Sequence, residues 1–132
     1  MKKDQIPSVL LLILSLLIVL GARTLFFPCV HEDGAFGTCH WAGVMLQGLG
    51  FVLGALSVLS LCIARARLGV YLSALPLCVL GLLTPGTLIP LCRMRTMRCW
   101  TVMRPAMMLL FSAALVVALL GAVLTERKQQ KR

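Results

Sequence analysis

Two similar segments organise this sequence, Thr24-Leu25-Phe26-Phe27-Pro28-Cys29 and Thr87-Leu88-Ile89-Pro90-Leu91-Cys92. The two stretches lie 63 residues apart, and each leads through a short segment to a second cysteine. These second cysteines, in Cys39-His40-Trp41 and Cys99-Trp100, lie 60 residues apart. Each copy joins two long apolar runs, so the pattern predicts one helical hairpin used twice.

The composition places the chain in a membrane. Its 132 residues are 60% hydrophobic, with a mean hydropathy of +0.98, whereas soluble domains are about 45–50% apolar. The few charged residues lie in short clusters between long uncharged runs. These features predict an all-α integral membrane protein, a four-transmembrane-helix bundle that forms a single domain over 1–132.

The apolar runs predict membrane spans at 6–27, 42–63, 68–89 and 105–124, with outer loops at 28–41 and 91–104. The first run also resembles a secretory signal that is cleaved after Ala22. Leu20 breaks the small-residue pattern of such a cleavage site, and removal would leave half of a repeat. We therefore expect the first span to be retained.

Glycine and proline modify the second and third spans. Gly50 and Gly54 form a Gly-x-x-x-Gly pattern, which allows two helix backbones to approach closely. We expect this face to pack on another helix of the same chain; a homo-oligomer is the alternative and is not predicted. In the third run, Pro76 predicts a kink, and Thr84-Pro85-Gly86 predicts a break.

The basic residues predict the orientation of the chain. The net charge is +9, with 13 lysines and arginines against four acidic residues. With four spans, both termini share one side, which then carries Lys2, Lys3, Arg65, Arg67, Arg127, Lys128, Lys131 and Arg132. The positive-inside rule places this side in the cytoplasm. Basic residues that flank spans explain the charge, so no nucleic-acid partner is expected.

The loop cysteines predict structural disulfides. Four of the six cysteines fall in the outer loops: Cys29, Cys39, Cys92 and Cys99. Disulfides persist on the oxidising side of a membrane. Pairing within each loop, Cys29–Cys39 and Cys92–Cys99, and pairing across the loops, Cys29–Cys92 and Cys39–Cys99, both satisfy the symmetry, and the sequence does not separate them.

Thiol–disulfide exchange is the first alternative for these cysteines. Arginines close to Cys92 and Cys99 would stabilise thiolates. In outline, four spans with two outward cysteine pairs are similar to the bacterial quinone-linked disulfide oxidase. The chain departs from that enzyme because it has no Cys-x-x-Cys motif and no loop long enough to act as a mobile shuttle.

Metal binding is the second alternative. The first loop offers four donors, Cys29, His31, Cys39 and His40, and the second adds the thioethers of Met94, Met97 and Met103. Such donors suit zinc or Cu(I). Because Cys39 and His40 are adjacent, they cannot easily reach one ion in good geometry. No cofactor is therefore expected.

Charge distinguishes the two outer loops. The first carries Glu32 and Asp33 and no basic residue, whereas the second carries four arginines and no acid: Arg93, Arg95, Arg98 and Arg104. The positive excess favours contact with another membrane protein or with the lipid bilayer. Standard catalytic patterns are absent from the sequence. We therefore expect a non-catalytic accessory or interaction protein.

The repeated motif also carries a resemblance to a known family. Two hairpins, each with a Cys…Cys-(His)-Trp loop, make the whole chain resemble small bacterial four-span membrane proteins that are classified as a domain of unknown function. The resemblance implies a bacterial cytoplasmic (inner) membrane. It implies no activity, cofactor or catalytic residue.

Overall fold

Four long helices make up most of the computed structural model, which describes residues 5–24, 38–89 and 99–131. They are α1 (Ile6–Thr24), α2 (Thr38–Cys62), α3 (Arg67–Leu83) and α4 (Arg104–Gln130). Each is long and apolar enough to cross a membrane, α3 together with the 3₁₀ turn Ala64–Ala66 before it. The predicted fold class, an all-α four-helix membrane bundle, is confirmed.

Consecutive helices pack as antiparallel neighbours. The largest interfaces join α1 to α2 and α3 to α4, while α1–α4 and α2–α3 contacts close the bundle. One end of the bundle, which we call the loop end, contains the last residues of α1 and α3 and the first residues of α2 and α4. The opposite end, the terminal end, contains the start of α1, the α2–α3 turn and the end of α4. The internal repeat itself stays a prediction.

The glycine face of α2 packs on α1. A methyl group on Gly50 would lie 2.9 Å from Cγ2 of both Ile18 and Val19, and one on Gly54 would lie 3.1 Å from Oγ of Ser15. In a membrane such small residues permit van der Waals packing between backbones. The prediction that this face packs against the same chain is confirmed.

The second hairpin uses glycines in the same way. A methyl group on Gly81 of α3 would lie 2.7 Å from Cγ of Phe111 on α4, well inside contact distance. A methyl group on Gly121 of α4 would lie 2.7 Å from Cε1 of Tyr71 on α3. Among the described residues, Tyr71 and Phe111 are the two largest fully buried side chains. Each helix of this hairpin therefore receives an aromatic ring from the other.

The helices extend beyond two of the expected span boundaries. Helix α2 begins at Thr38, inside the segment expected as outer loop 28–41, and α4 continues to Gln130 beyond the expected end at 124. Apolar runs mark the hydrocarbon layer, whereas a helix satisfies its own backbone groups and can continue into the interface. Glu126, Arg127, Lys128 and Gln129 are also good helix formers.

Helix α3 ends at Leu83, so the predicted break at Thr84-Pro85-Gly86 is confirmed. Gly86 has a φ of 102°, which favours glycine and directs the chain out of the helix. The backbone N–H of Leu88 then donates to the Leu83 carbonyl at 3.1 Å, and that of Ile89 to the Thr84 carbonyl at 3.2 Å. These bonds satisfy carbonyls that the end of a helix leaves open. Helix α3 continues through Pro76.

The outer surface of the bundle is apolar. Large hydrophobic side chains are exposed on all four helices, with Leu109 at 71% and Phe51 at 61%. Soluble monomers rarely expose contiguous apolar surface of this kind. Contact with the lipid bilayer explains it.

Candidate functional site

Arg104 is held in place at the loop end. Its guanidinium carbon lies 4.5 Å from the centroid of the Trp100 ring, a cation–π contact. A methyl group on Gly86 would lie 3.6 Å from the same carbon, so the turn after α3 packs against the guanidinium. Arg104 therefore joins the start of α4 to the end of α3.

The chain approaches α4 through a π-helical turn, Cys99–Met103, which the sequence assigned to the outer loop 91–104. Met103 is buried, at 2% exposure, and belongs to the hydrophobic core. Because its side chain is packed in the core, Met103 is an unfavourable candidate for a metal ligand in an outer loop. Turns of this type often occur at functional sites.

His40 and Trp41 lie in the first turns of α2. Their rings meet edge to face, with centroids 5.9 Å apart. The Trp41 side chain is 62% exposed, which fits an aromatic residue at a membrane interface. Trp41 is thus a large accessible ring at the point where segment 28–41 enters the bundle.

Most residues of the cysteine and metal hypotheses fall outside the described part of the chain. These are Cys29, His31, Cys92, Met94 and Met97, and the side chains of Cys39 and Cys99 are also outside it. The disulfides thus stay a prediction. Within the described ranges, no group of three metal-ligating side chains comes together, and Cys62 and Cys78, both in spans, have free thiols.

Arg104 is the member of the predicted arginine contact that the structure describes. Arg93, Arg95 and Arg98 lie outside the described residues, so their contribution to a partner or lipid contact stays a prediction. The packing of Arg104 on Trp100 and Gly86 gives that residue a structural role besides any binding role.

The terminal end contains a polar contact that sequence reasoning missed. The hydroxyl oxygens of Ser8 on α1 and Tyr71 on α3 lie 2.7 Å apart in a buried hydrogen bond. Tyr71 also packs on Gly121 of α4. These contacts fasten three helices to one another. The sequence signal for this contact is the single tyrosine in an apolar run, because a buried tyrosine hydroxyl usually requires a hydrogen-bond partner.

A cleft of about 220 Å³ opens at the terminal end, between α1, the α2–α3 turn and the end of α4. Its lining includes Pro7, Leu124 and three basic residues, Arg65, Arg67 and Lys128. The Arg67 side chain is fixed, because its Nε donates to the Ser60 carbonyl at 3.1 Å. In the sequence, these basic residues predict the orientation of the chain.

The fold and these two ends define a class: a small multi-pass membrane protein with four helices and short polar segments at the loop end. The chain belongs to a family described as a domain of unknown function (DUF4418), whose model matches residues 11–124. No curated protein and no solved structure matches the chain. The predicted family membership is therefore confirmed.

Proposed function

We propose that this protein is a non-catalytic accessory protein of the bacterial cytoplasmic membrane that binds another membrane protein through its loop end. Both termini lie in the cytoplasm, and segments 28–41 and 91–104 face the opposite side. Disulfides between the loop cysteines restrict these segments. The contact uses the arginine-rich second segment and the exposed ring of Trp41.

The observation that carries this proposal is the fixed position of Arg104, the last residue of segment 91–104. Arg104 is fixed between the Trp100 ring, 4.5 Å away, and the turn at Gly86. A segment with one end held in place loses less conformational entropy when it binds. Trp41 adds an exposed aromatic ring at the same end of the bundle, and aromatic and arginine side chains are enriched at protein interfaces.

The charges of the two segments favour an acidic partner. Segment 91–104 carries four arginines, and segment 28–41 carries Glu32 and Asp33. If the two segments lie together, two positive charges stay in excess. Such an excess steers association with a negatively charged surface.

Three hydroxyl groups inside the spans are bonded to backbone carbonyls and do not pair with a general base. Ser15 donates to the Leu12 carbonyl, Ser57 to the Leu53 carbonyl and Ser60 to the Ser57 carbonyl, at 2.7–2.8 Å. Each of these hydroxyl protons satisfies a carbonyl of its own helix. A nucleophilic hydroxyl instead donates to a general base.

The test combines charge reversal with site-specific cross-linking. A photo-reactive phenylalanine analogue replaces Trp41, and membranes are irradiated with or without the pair Arg93→Glu and Arg95→Glu. We expect one discrete cross-linked adduct, which the charge reversal abolishes. The control pair is Arg127→Glu and Lys131→Glu, which makes the same charge change at the terminal end and should leave the adduct intact.

As a control for folding, the variants with the two charge-reversed pairs should have the same thermal unfolding midpoint in detergent. An adduct that survives reversal at Arg93 and Arg95 contradicts the proposal. Slower alkylation of Cys92 and Cys99 in the same variant, without loss of the adduct, would favour thiol–disulfide exchange instead, since nearby arginines lower thiol pKa values.

A further inference from the structure

We propose that the cleft at the terminal end binds the phosphate headgroup of an anionic phospholipid. This site lies at the opposite end of the bundle from the proposed partner contact and does not depend on it. The proposal rests on the charge of the cleft, its size and the apolar surface that continues from it.

The charged residues among the described lining of the cleft are all basic. Arg65 comes from the α2–α3 turn, Arg67 from the start of α3 and Lys128 from the last turns of α4. The fold thus brings together basic residues that are distant in sequence. None of the described residues that line the cleft is acidic. Basic side chains that line one cleft favour an anionic ligand.

The guanidinium of Arg67 is already in position. Its Nε–H donates to the Ser60 carbonyl at 3.1 Å, while the side chain also lines the cleft. A side chain that is fixed before binding loses less entropy when a ligand arrives. Arginine is also the side chain whose geometry best suits phosphate oxygens.

The size of the cleft selects a headgroup. Its volume of about 220 Å³ is below the roughly 300–1,000 Å³ of pockets that enclose a whole small molecule. A phosphate with its glycerol linkage is small enough to enter. The remainder of a lipid would have to lie outside the cleft.

An apolar track continues from the cleft along α4. Leu124 lines the cleft and is 56% exposed, and Leu120 and Val116 follow at 57% and 54% exposure. Residues four apart lie on the same face of a helix, so these three side chains form a stripe from the cleft toward the centre of the span. An acyl chain can pack along this stripe. The stripe favours a phospholipid over free phosphate.

The experiment measures lipid retention by native mass spectrometry of the full chain in mild detergent, titrated with phosphatidylglycerol or phosphatidylcholine. The pair Arg65→Gln and Lys128→Gln should weaken phosphatidylglycerol binding about 25-fold, about fivefold for each basic side chain. The control pair Arg127→Gln and Lys131→Gln removes two charges from the same end, outside the cleft lining, and should change binding less than about twofold.

Arg67 is left unchanged because its bond to Ser60 holds the α2–α3 turn. Should the Arg65/Lys128 pair fail to fold, the single Lys128→Gln variant, whose side chain is exposed, should still bind about fivefold more weakly. Equal losses in the cleft and control pairs would overturn the proposal, and so would equal retention of the two lipids by the unmodified chain. Millimolar inorganic phosphate that binds as well as the lipid would also overturn it, because the ligand would then be free phosphate.

Discussion

Substitution of Gly81 by alanine tests the closest approach between α3 and α4. The added methyl group would lie 2.7 Å from Cγ of Phe111, a ring that is fully buried and cannot turn away into lipid. Overpacking of this kind costs about 1–3 kcal/mol. Alanine also stabilises a helix by about 1 kcal/mol relative to glycine, so the two effects oppose each other.

Gly48 provides the matched control. It lies within α2, and a methyl group there would meet nothing within 4 Å. Gly48→Ala therefore gains only the stabilisation that comes from the higher helix propensity of alanine. We expect Gly81→Ala to be about 1–3 kcal/mol less stable than Gly48→Ala, measured as the free energy of unfolding by denaturant titration in mixed micelles.

A double-mutant cycle with Phe111→Leu isolates the contact. Removing the ring should be less destabilising in the Gly81→Ala background than alone, with a coupling of about 0.5–3 kcal/mol. Equal stability of Gly81→Ala and Gly48→Ala, together with no coupling to Phe111, would refute the close packing of α3 on α4.

Two further predictions concern the other helix contacts. Gly54→Leu should destabilise the bundle by about 1–3 kcal/mol, because the Cβ added at position 54 would lie 3.1 Å from Oγ of Ser15. An unchanged free energy of unfolding together with the loss of a dimer would contradict the intrachain contact. Tyr71→Phe should cost about 1 kcal/mol because it removes the 2.7 Å hydrogen bond to Ser8. Its coupling to Ser8→Ala should be about 0.6 kcal/mol, and zero coupling would mean that the bond contributes nothing to stability.

The sequence predicted those features that a single segment determines. Gly50 and Gly54 share one face of a helix because they are four residues apart, so a close contact there needed no knowledge of the partner. The break at Thr84-Pro85-Gly86 likewise follows from local backbone chemistry. The composition and the four long apolar runs were sufficient for the four-helix membrane class.

Features that depend on the register between helices were not predictable. The pairs Gly81–Phe111 and Gly121–Tyr71 require the relative height of α3 and α4, which a single sequence does not fix. The terminal cleft requires that the α2–α3 turn meets the end of α4. The ends of α2 and α4 were not predictable for another reason: hydropathy marks the apolar part of a helix, whereas both helices also include polar residues beyond the expected spans.

The most direct test of the proposed accessory role is the orientation of the two ends, because a loop end in the cytoplasm could not form disulfides or contact an outer partner. Alkaline phosphatase and green fluorescent protein are each fused after residue 132 and within segment 28–41. We predict fluorescence without phosphatase activity at the C-terminus, and phosphatase activity without fluorescence in the segment. The reverse pattern, with an active phosphatase at the C-terminus, would contradict the proposed function.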